Sequence, residues 1–170
     1  MSESTQFILG ETNRPLVLQG LPALRETALH MIGRGRLSLH ILSPRLEADI
    51  FDNQEMHDAV SRLARHNSQS KVQILVFDTG PMIRDGHRLV DLARRLSSSI
   101  EIRKVAEQHQ DYDQAFLVVD ACGVIHRQPR DSREAQANYS ARRLARKLLK
   151  DFQAMWDFAE RDMALLRLDL

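Results

Sequence analysis

The stretch Asp111–Gln128, DYDQAFLVVDACGVIHRQ, decides the fold. It holds two short strand-like runs, Ala115–Val119 and Gly123–Arg127, joined only by DACG. So tight a link forces the two strands antiparallel. Asp120 closes the first strand, and a polar cluster, HQDYD at 109–113, leads into it.

Toward the N-terminus the pattern changes. KVQILVF (71–77) is too apolar and β-branched for an exposed edge and is expected as a central strand. SIEIRKV (99–105) is the next strand, and RLSLHIL (36–42) sets Leu37, Leu39 and Ile41 against Ser38, His40 and Leu42, which suits a strand buried mainly on one face. Helices fall between the strands. LPALRETALHMIGRG aligns Leu24, Ala28, Met31 and Ile32 and stops at Gly33 and Gly35. NQEMHDAVSRLARHN carries a stripe from Met56 to Ala64, with Asp52 or Asn53 as N-cap, and HRLVDLARRLSS one from Leu89 to Leu96. TGPMIRDG reads as a loop.

From residue 22 to 105 the order is thus helix–strand three times over. That predicts parallel pairing with right-handed crossovers, completed by the antiparallel hairpin. The fold class expected is α/β: a mixed sheet with a parallel βαβ core, a C-terminal hairpin and helices on both faces. A long closing helix is expected from about Gln136 to Met163, its stripe including Ala141, Ala145, Leu148, Phe152 and Met155. One domain is expected over 1–170, with 1–20 a weakly structured N-terminal extension in which PLVLQG (15–20) could add a short edge strand.

Bulk composition excludes more than it suggests. The chain has 170 residues, 43% hydrophobic and only 5% aromatic, so aliphatic side chains must form most of the core. A balance of 24 basic against 23 acidic residues gives no general affinity for polyanions. The single cysteine, Cys122, excludes an internal disulfide and a thiolate metal cluster. No signal peptide or bilayer-spanning run is visible, so a cytoplasmic protein without a membrane partner is expected.

The order of elements resembles one half of a phospholipase D-type fold. The resemblance rests on ALRETALHMIGRGRLSLHIL, the αβ pairs after it, the hairpin AFLVVDACGVIHR and the closing helix ARRLARKLLKDFQAMWDFA, and covers roughly residues 21–160. HRLVDLARRLSSSIEIRK also looks like a smaller bacterial group with this fold, some of whose members sit beside acetyltransferase domains. That resemblance makes an acetyltransferase-associated protein a candidate partner.

In active phospholipase D members the hairpin's first strand carries His-x-Lys-x-x-x-x-Asp, and two copies face each other. One imidazole attacks phosphorus while another protonates the leaving oxygen. The lysines hold the phosphate oxygens as charge builds, and the aspartate orients an imidazole. Aligned on Asp120, this chain has Asp113 at the histidine position and Ala115 at the lysine position. A carboxylate at 113 repels a phosphodiester and an alanine cannot neutralise one. No histidine has a lysine two residues on, and the Gly-Ser that follows the motif is replaced near Arg127–Gln128.

Other signals are thinner. His109, Asp111 and Asp113 could offer ligands to a divalent cation, but spacing alone does not make a site, and no metal or cofactor is expected. His40 belongs near the C-terminal end of its strand, where α/β sheets place ligands. Arg142, Arg143, Arg146, Lys147 and Lys150 form a basic stripe able to meet phosphates, with no interleaved aromatics. GRGR (33–36) lacks the context of a dinucleotide loop. The expectation is a non-catalytic phospholipase D-like domain serving as an interaction or anion-binding module, homodimeric through the hairpin or the last helix. Two alternatives remain: a metal-dependent phosphodiesterase or nuclease rebuilt from Asp113, Asp120 and His109 or His126, and a nucleic-acid-binding protein using the basic stripe.

Overall fold

A computed structural model describes residues 6–166. In chain order the elements are β1 (Leu16–Gln19), α1 (Leu21–Arg34), β2 (Ser38–Ser43), α2 (Ala48–Phe51), α3 (Gln54–Ala64), β3 (Lys71–Val76), α4 (Gly80–Asp85), α5 (Arg88–Arg95), β4 (Ile100–Lys104), β5 (Ala115–Val119), β6 (Gly123–Arg127), β7 (Glu134–Asn138), α6 (Arg142–Trp156) and α7 (Met163–Leu166). The strands form one sheet in the order β1-β7-β6-β5-β2-β3-β4. β2, β3 and β4 are parallel, and β5 runs antiparallel to β2 and begins the antiparallel half.

This is the mixed α/β sheet that the αβ pairs and the hairpin predict. β3 is central, with β2 and β4 on either side, as its apolar run requires. α1, α3 and α5 press Leu24, Met31, Met56, Leu63 and Leu89 onto one face of the sheet. On the other face α6 lays Ala145, Leu148, Phe152 and Trp156 against Leu42, Phe116, Val118 and Val124. β2 therefore buries both faces: Leu39 and Ile41 lie under α1 and α3, while Leu42 lies under α6.

The closing helix is shorter than its periodicity suggests. Residues 134–138, EAQAN, form β7 between β6 and β1 instead of a first helical turn. Glu, Ala and Gln favour helices, but their weak preference yields to a full set of strand partners that bury Ala135 and Ala137. α6 begins at Arg142 and ends at Trp156, after which the chain turns back so that Glu160 bridges Lys104 at the edge of β4. The loop expected at TGPMIRDG contains the short α4.

Of the first twenty residues, 1–5 lie outside the described residues. The edge strand does form, and Phe7 packs edge-on against Tyr139 with ring centroids 5.5 Å apart. Residues 6–20 thus join the fold more closely than a weakly structured extension. The β5–β6 turn places Asp120 and Ala121 in the left-handed region, at φ 52° and 57°, with the Cys122 amide closing back on the Val119 carbonyl. Positive φ at both residues gives the turn the twist that matches the flanking strands.

Candidate functional site: a filled cleft at the strand ends

In a parallel sheet the strands' C-terminal ends and the loops leaving them form the usual ligand site. Here the loops after β2 and β3 meet the end of β6 around a cleft of about 360 Å³. At its centre the Arg127 guanidinium donates to both carboxylate oxygens of Glu47, at 2.6 and 3.2 Å. The Ser43 hydroxyl, at the end of β2, donates to Glu47 Oε1 at 2.6 Å and accepts the Leu46 amide at 2.9 Å. Burial alone would raise the Glu47 carboxyl, but the Arg127 guanidinium and Ser43 hydroxyl outweigh it and hold the group below its usual range.

The walls are tied down in the same way. His87 accepts the Leu89 amide at Nδ1 and so donates from Nε2 to the Leu46 carbonyl, at 3.0 Å. Burial, the largest influence, holds its pKa low and keeps the ring neutral. Arg88 pairs with Asp52 at 3.1 Å and Arg45 with Asp131 at 3.8 Å.

The degenerate motif opens onto this end. Ala115, at the lysine position, is fully buried and lies opposite Arg127 in the β5–β6 register. Directly paired residues point their side chains to the same face, so Arg127 supplies a cation beside the place of the missing ammonium. That cation is already neutralised by Glu47. Asp113, at the histidine position, is exposed and accepts the Arg130 amide at 3.3 Å.

Asp120 has a different task. Its carboxylate accepts the amides of Arg36, Leu37 and Ser38 at 2.8–3.1 Å, pinning the hairpin turn to the start of β2. Asp120 lies at the far end of β5 from Asp113, with Gln114 and the five residues of the strand between them, and its carboxylate is taken up by those amides. The rebuilt site imagined from Asp113, Asp120 and His109 or His126 is therefore not assembled. His126 meets Gln114 at 2.7 Å, and the His109 ring tilts against Phe158. Among the described residues no group of three or more His, Cys, Asp or Glu side chains is placed to hold a metal.

His40 sits in the middle of β2 rather than at its end, edge-on to Phe152 at 5.0 Å, with its pKa lowered by burial. Burial pushes the Cys122 thiol up, away from nucleophilic chemistry. The stripe Arg142, Arg143, Arg146, Lys147 and Lys150 is exposed along the outer side of α6. Lys147 lies 3.9 Å from Asp151, the other four having no acidic side chain within ion-pair distance among the described residues.

Glu47 and Ser43 were not singled out by sequence reasoning. Their signal was SPRLE, directly after β2, at the end where such sheets bind ligands; Arg127, a charge closing the apolar strand GVIHR, was its partner.

The model of one family, described as Domain of unknown function (DUF7931), matches residues 21–168. The chain belongs to that family. No curated protein matches it. Among solved structures, the chain is similar to TrmBL2, an archaeal chromatin protein, at 17% identity and TM-score 0.65, over 88% of this chain and 54% of that one, about half its length. It is similar to Nuc, a phospholipase D family member from Salmonella typhimurium, at 17% identity and TM-score 0.61, over 86% and 97%. NucT from Helicobacter pylori matches at 15% identity and TM-score 0.54, over 88% and 98%. These likenesses establish a phospholipase D-like fold for the DUF7931 chain.

Proposed function

We propose that this DUF7931 domain is a non-catalytic member of the phospholipase D-like fold that works as an interaction or anion-binding module. One observation carries the reading. The strand ends hold a closed Ser43–Glu47–Arg127 network in place of an imidazole and an ammonium facing solvent. A nucleophile for phosphorus needs a poised base, and the leaving oxygen needs a proton donor. Asp113 and Ala115 provide neither, and Arg127, the cation opposite the lysine position, is spent on Glu47.

The test is hydrolysis of an activated phosphodiester, bis(p-nitrophenyl) phosphate, and of DNA, with Mg²⁺, Mn²⁺, Ca²⁺, Zn²⁺ or none. The expected result is no turnover above buffer under any condition. Turnover that disappears in Asp113→Asn or Glu47→Gln would overturn the reading.

The homodimer implied by the resemblance belongs to the same proposal. The motif end carries interspersed charges of both signs, including Arg45, Arg133, Asp49 and Asp131, and so suits a two-fold contact with itself. The outer side of α6, all positive through its first two turns, does not. Light scattering of the intact chain should give twice the monomer mass, and a monomer at every concentration would remove the dimer.

A further inference from the structure

The opposite end of the sheet, where β2 starts and the β5–β6 hairpin turns, holds an open cavity of about 580 Å³. Three arginines line it: Arg34 at the end of α1, Arg36 beyond the turn, and Arg142 at the start of α6. Among the described residues the one carboxylate in its lining is Asp120, which the amides of residues 36–38 already occupy. None of Arg34, Arg36, Arg142, Arg143, Arg146 and Lys150 has an acidic side chain within ion-pair distance among the described residues. Elsewhere Arg45, Arg88, Arg103, Arg127 and Arg161 each have one. Other unpaired cations, such as Arg25, Arg62 and Lys71, are scattered over the surface, whereas the six named first lie around one cavity and along the helix that leaves it.

The arginines are held in place by the fold. A Cβ on Gly35 would come within 2.5 Å of Leu63 Cδ1 and 2.6 Å of Val119 Cγ1, so only glycine lets this turn lie so close to the core. The backbone between Arg34 and Arg36 is therefore fixed against the sheet. Arg142 donates to the Gly10 carbonyl at 3.3 Å. No side chain caps α6, which leaves its first-turn amides facing the same region. From Arg142 to Lys150 the helix rises about 12 Å, with a cation at each turn, a span matching two or three successive phosphates of an extended strand.

We propose that this end is a binding site for the phosphates of a nucleic-acid backbone, seated on Arg34, Arg36 and Arg142 and continued along α6 by Arg143, Arg146 and Lys150. The proposal rests on the anion-binding side of the reading above and gives it a location and a ligand class. Phe7, an aromatic side chain in the cavity's lining, is buried against Tyr139, so binding depends on backbone charge, with little preference for base sequence.

The experiment is fluorescence anisotropy of the full chain with labelled single-stranded and duplex 20-mers in 50 and 200 mM salt. Neutralising three phosphates gives a slope of about −0.9 per phosphate, so affinity should fall roughly 40-fold over that range. Arg36→Glu/Arg142→Glu, and separately Arg143→Glu/Arg146→Glu, should each abolish most binding and flatten the salt slope. The charge-matched control Arg25→Glu/Arg84→Glu, at the other end, should leave it nearly unchanged. Absence of binding at 50 mM salt overturns the proposal, as does equal loss in the control. Competition by polyglutamate as effective as by unlabelled oligonucleotide would reassign the surface to an acidic protein and overturn it too. So would inorganic pyrophosphate shifting the amide resonances around Arg36 while no oligonucleotide binds. Bound oligonucleotide that is also cut would refute the non-catalytic reading and leave the site standing, so the two failures are separable.

Discussion

Removing Arg127 should be far more damaging than removing Arg127 and Glu47 together. The two side chains are 6% and 11% exposed and share a two-point contact, so each is the other's replacement for water. In Arg127→Met the side chain keeps most of its length, but the Glu47 carboxylate is left with the Ser43 hydroxyl alone. Breaking a buried pair from one side costs about 3–5 kcal/mol, and Glu47→Leu, which strands the guanidinium, should fall in the same range. Glu47→Leu/Arg127→Met removes both charges and should lie within about 1 kcal/mol of the parent, so the coupling energy in the cycle exceeds about 3 kcal/mol. Urea unfolding followed by circular dichroism measures all four proteins. The pH dependence has a definite sign. In the parent the Glu47 carboxyl lies below its unfolded value, so its contribution is complete above the ordinary glutamate range, near pH 4.3, and is lost as pH falls through the folded value. In Arg127→Met burial, the largest influence, outweighs the remaining Ser43 hydrogen bond and raises that carboxyl, so the variant's deficit should shrink in acid. Single-variant costs below about 1 kcal/mol, or a deficit that widens in acid, would refute the idea of a closed internal pair.

Four further outcomes follow from the same geometry. His87, His40, His30 and His126 all have pKa values lowered, burial being the first cause, so the folded chain binds fewer protons than the unfolded one. Stability should therefore fall as pH drops below about 6.5, seen as a decline in Tm, and His40→Phe should reduce that slope. Asp120→Asn should cost about 1–3 kcal/mol by weakening the grip on the amides of Arg36, Leu37 and Ser38, again by urea unfolding. Gly35→Ala should cost about 1–3 kcal/mol through its contacts with Leu63 and Val119, while Ala121→Gly, relieving φ 57°, should gain about 0.5–1 kcal/mol. Asp113→His/Ala115→Lys should not produce phosphodiesterase activity and should lower Tm, because a lysine at 115 enters a fully buried position opposite Arg127.

The fold was legible where one periodicity ruled a segment. β3, with its unbroken apolar run, and the β5–β6 hairpin, with its short link, lie where the residue pattern puts them. β7 was not legible, because EAQAN has the composition of a helix and becomes a strand only when β6 and β1 offer it partners on both sides. The site was legible as a loss, through Asp113 and Ala115. Its replacement was not, since Glu47 and Arg127 are 80 residues apart and only the sheet brings their charges together. Asp120 was the one residue of the motif pattern that this chain keeps, yet its position shows it serving the hairpin turn. A short motif does not say which of its members touch the chemistry and which hold the backbone.

The two ends of the sheet now differ in what a ligand would have to displace. At the motif end, Glu47, Ser43, His87 and the Leu46 backbone form one connected set of hydrogen bonds linking the loop after β2 to α5 and to β6. An anion that takes Arg127 there must compete with Glu47 and leave a buried carboxylate unpaired, at a cost comparable to the substitution considered first. At the hairpin end, Arg36 and Arg142 have no acidic partner to surrender, and Asp120 is held by main-chain amides whether or not a ligand is present. An anion binding there loses only water and salt ions, and the release of those ions is itself favourable. Between Arg127, already committed to Glu47, and Arg36 with Arg142, which are not, an anion is better held by the uncommitted pair. On that ground the anion-binding proposed for this domain belongs to the end away from Asp113 and Ala115, the positions its fold would lead one to inspect.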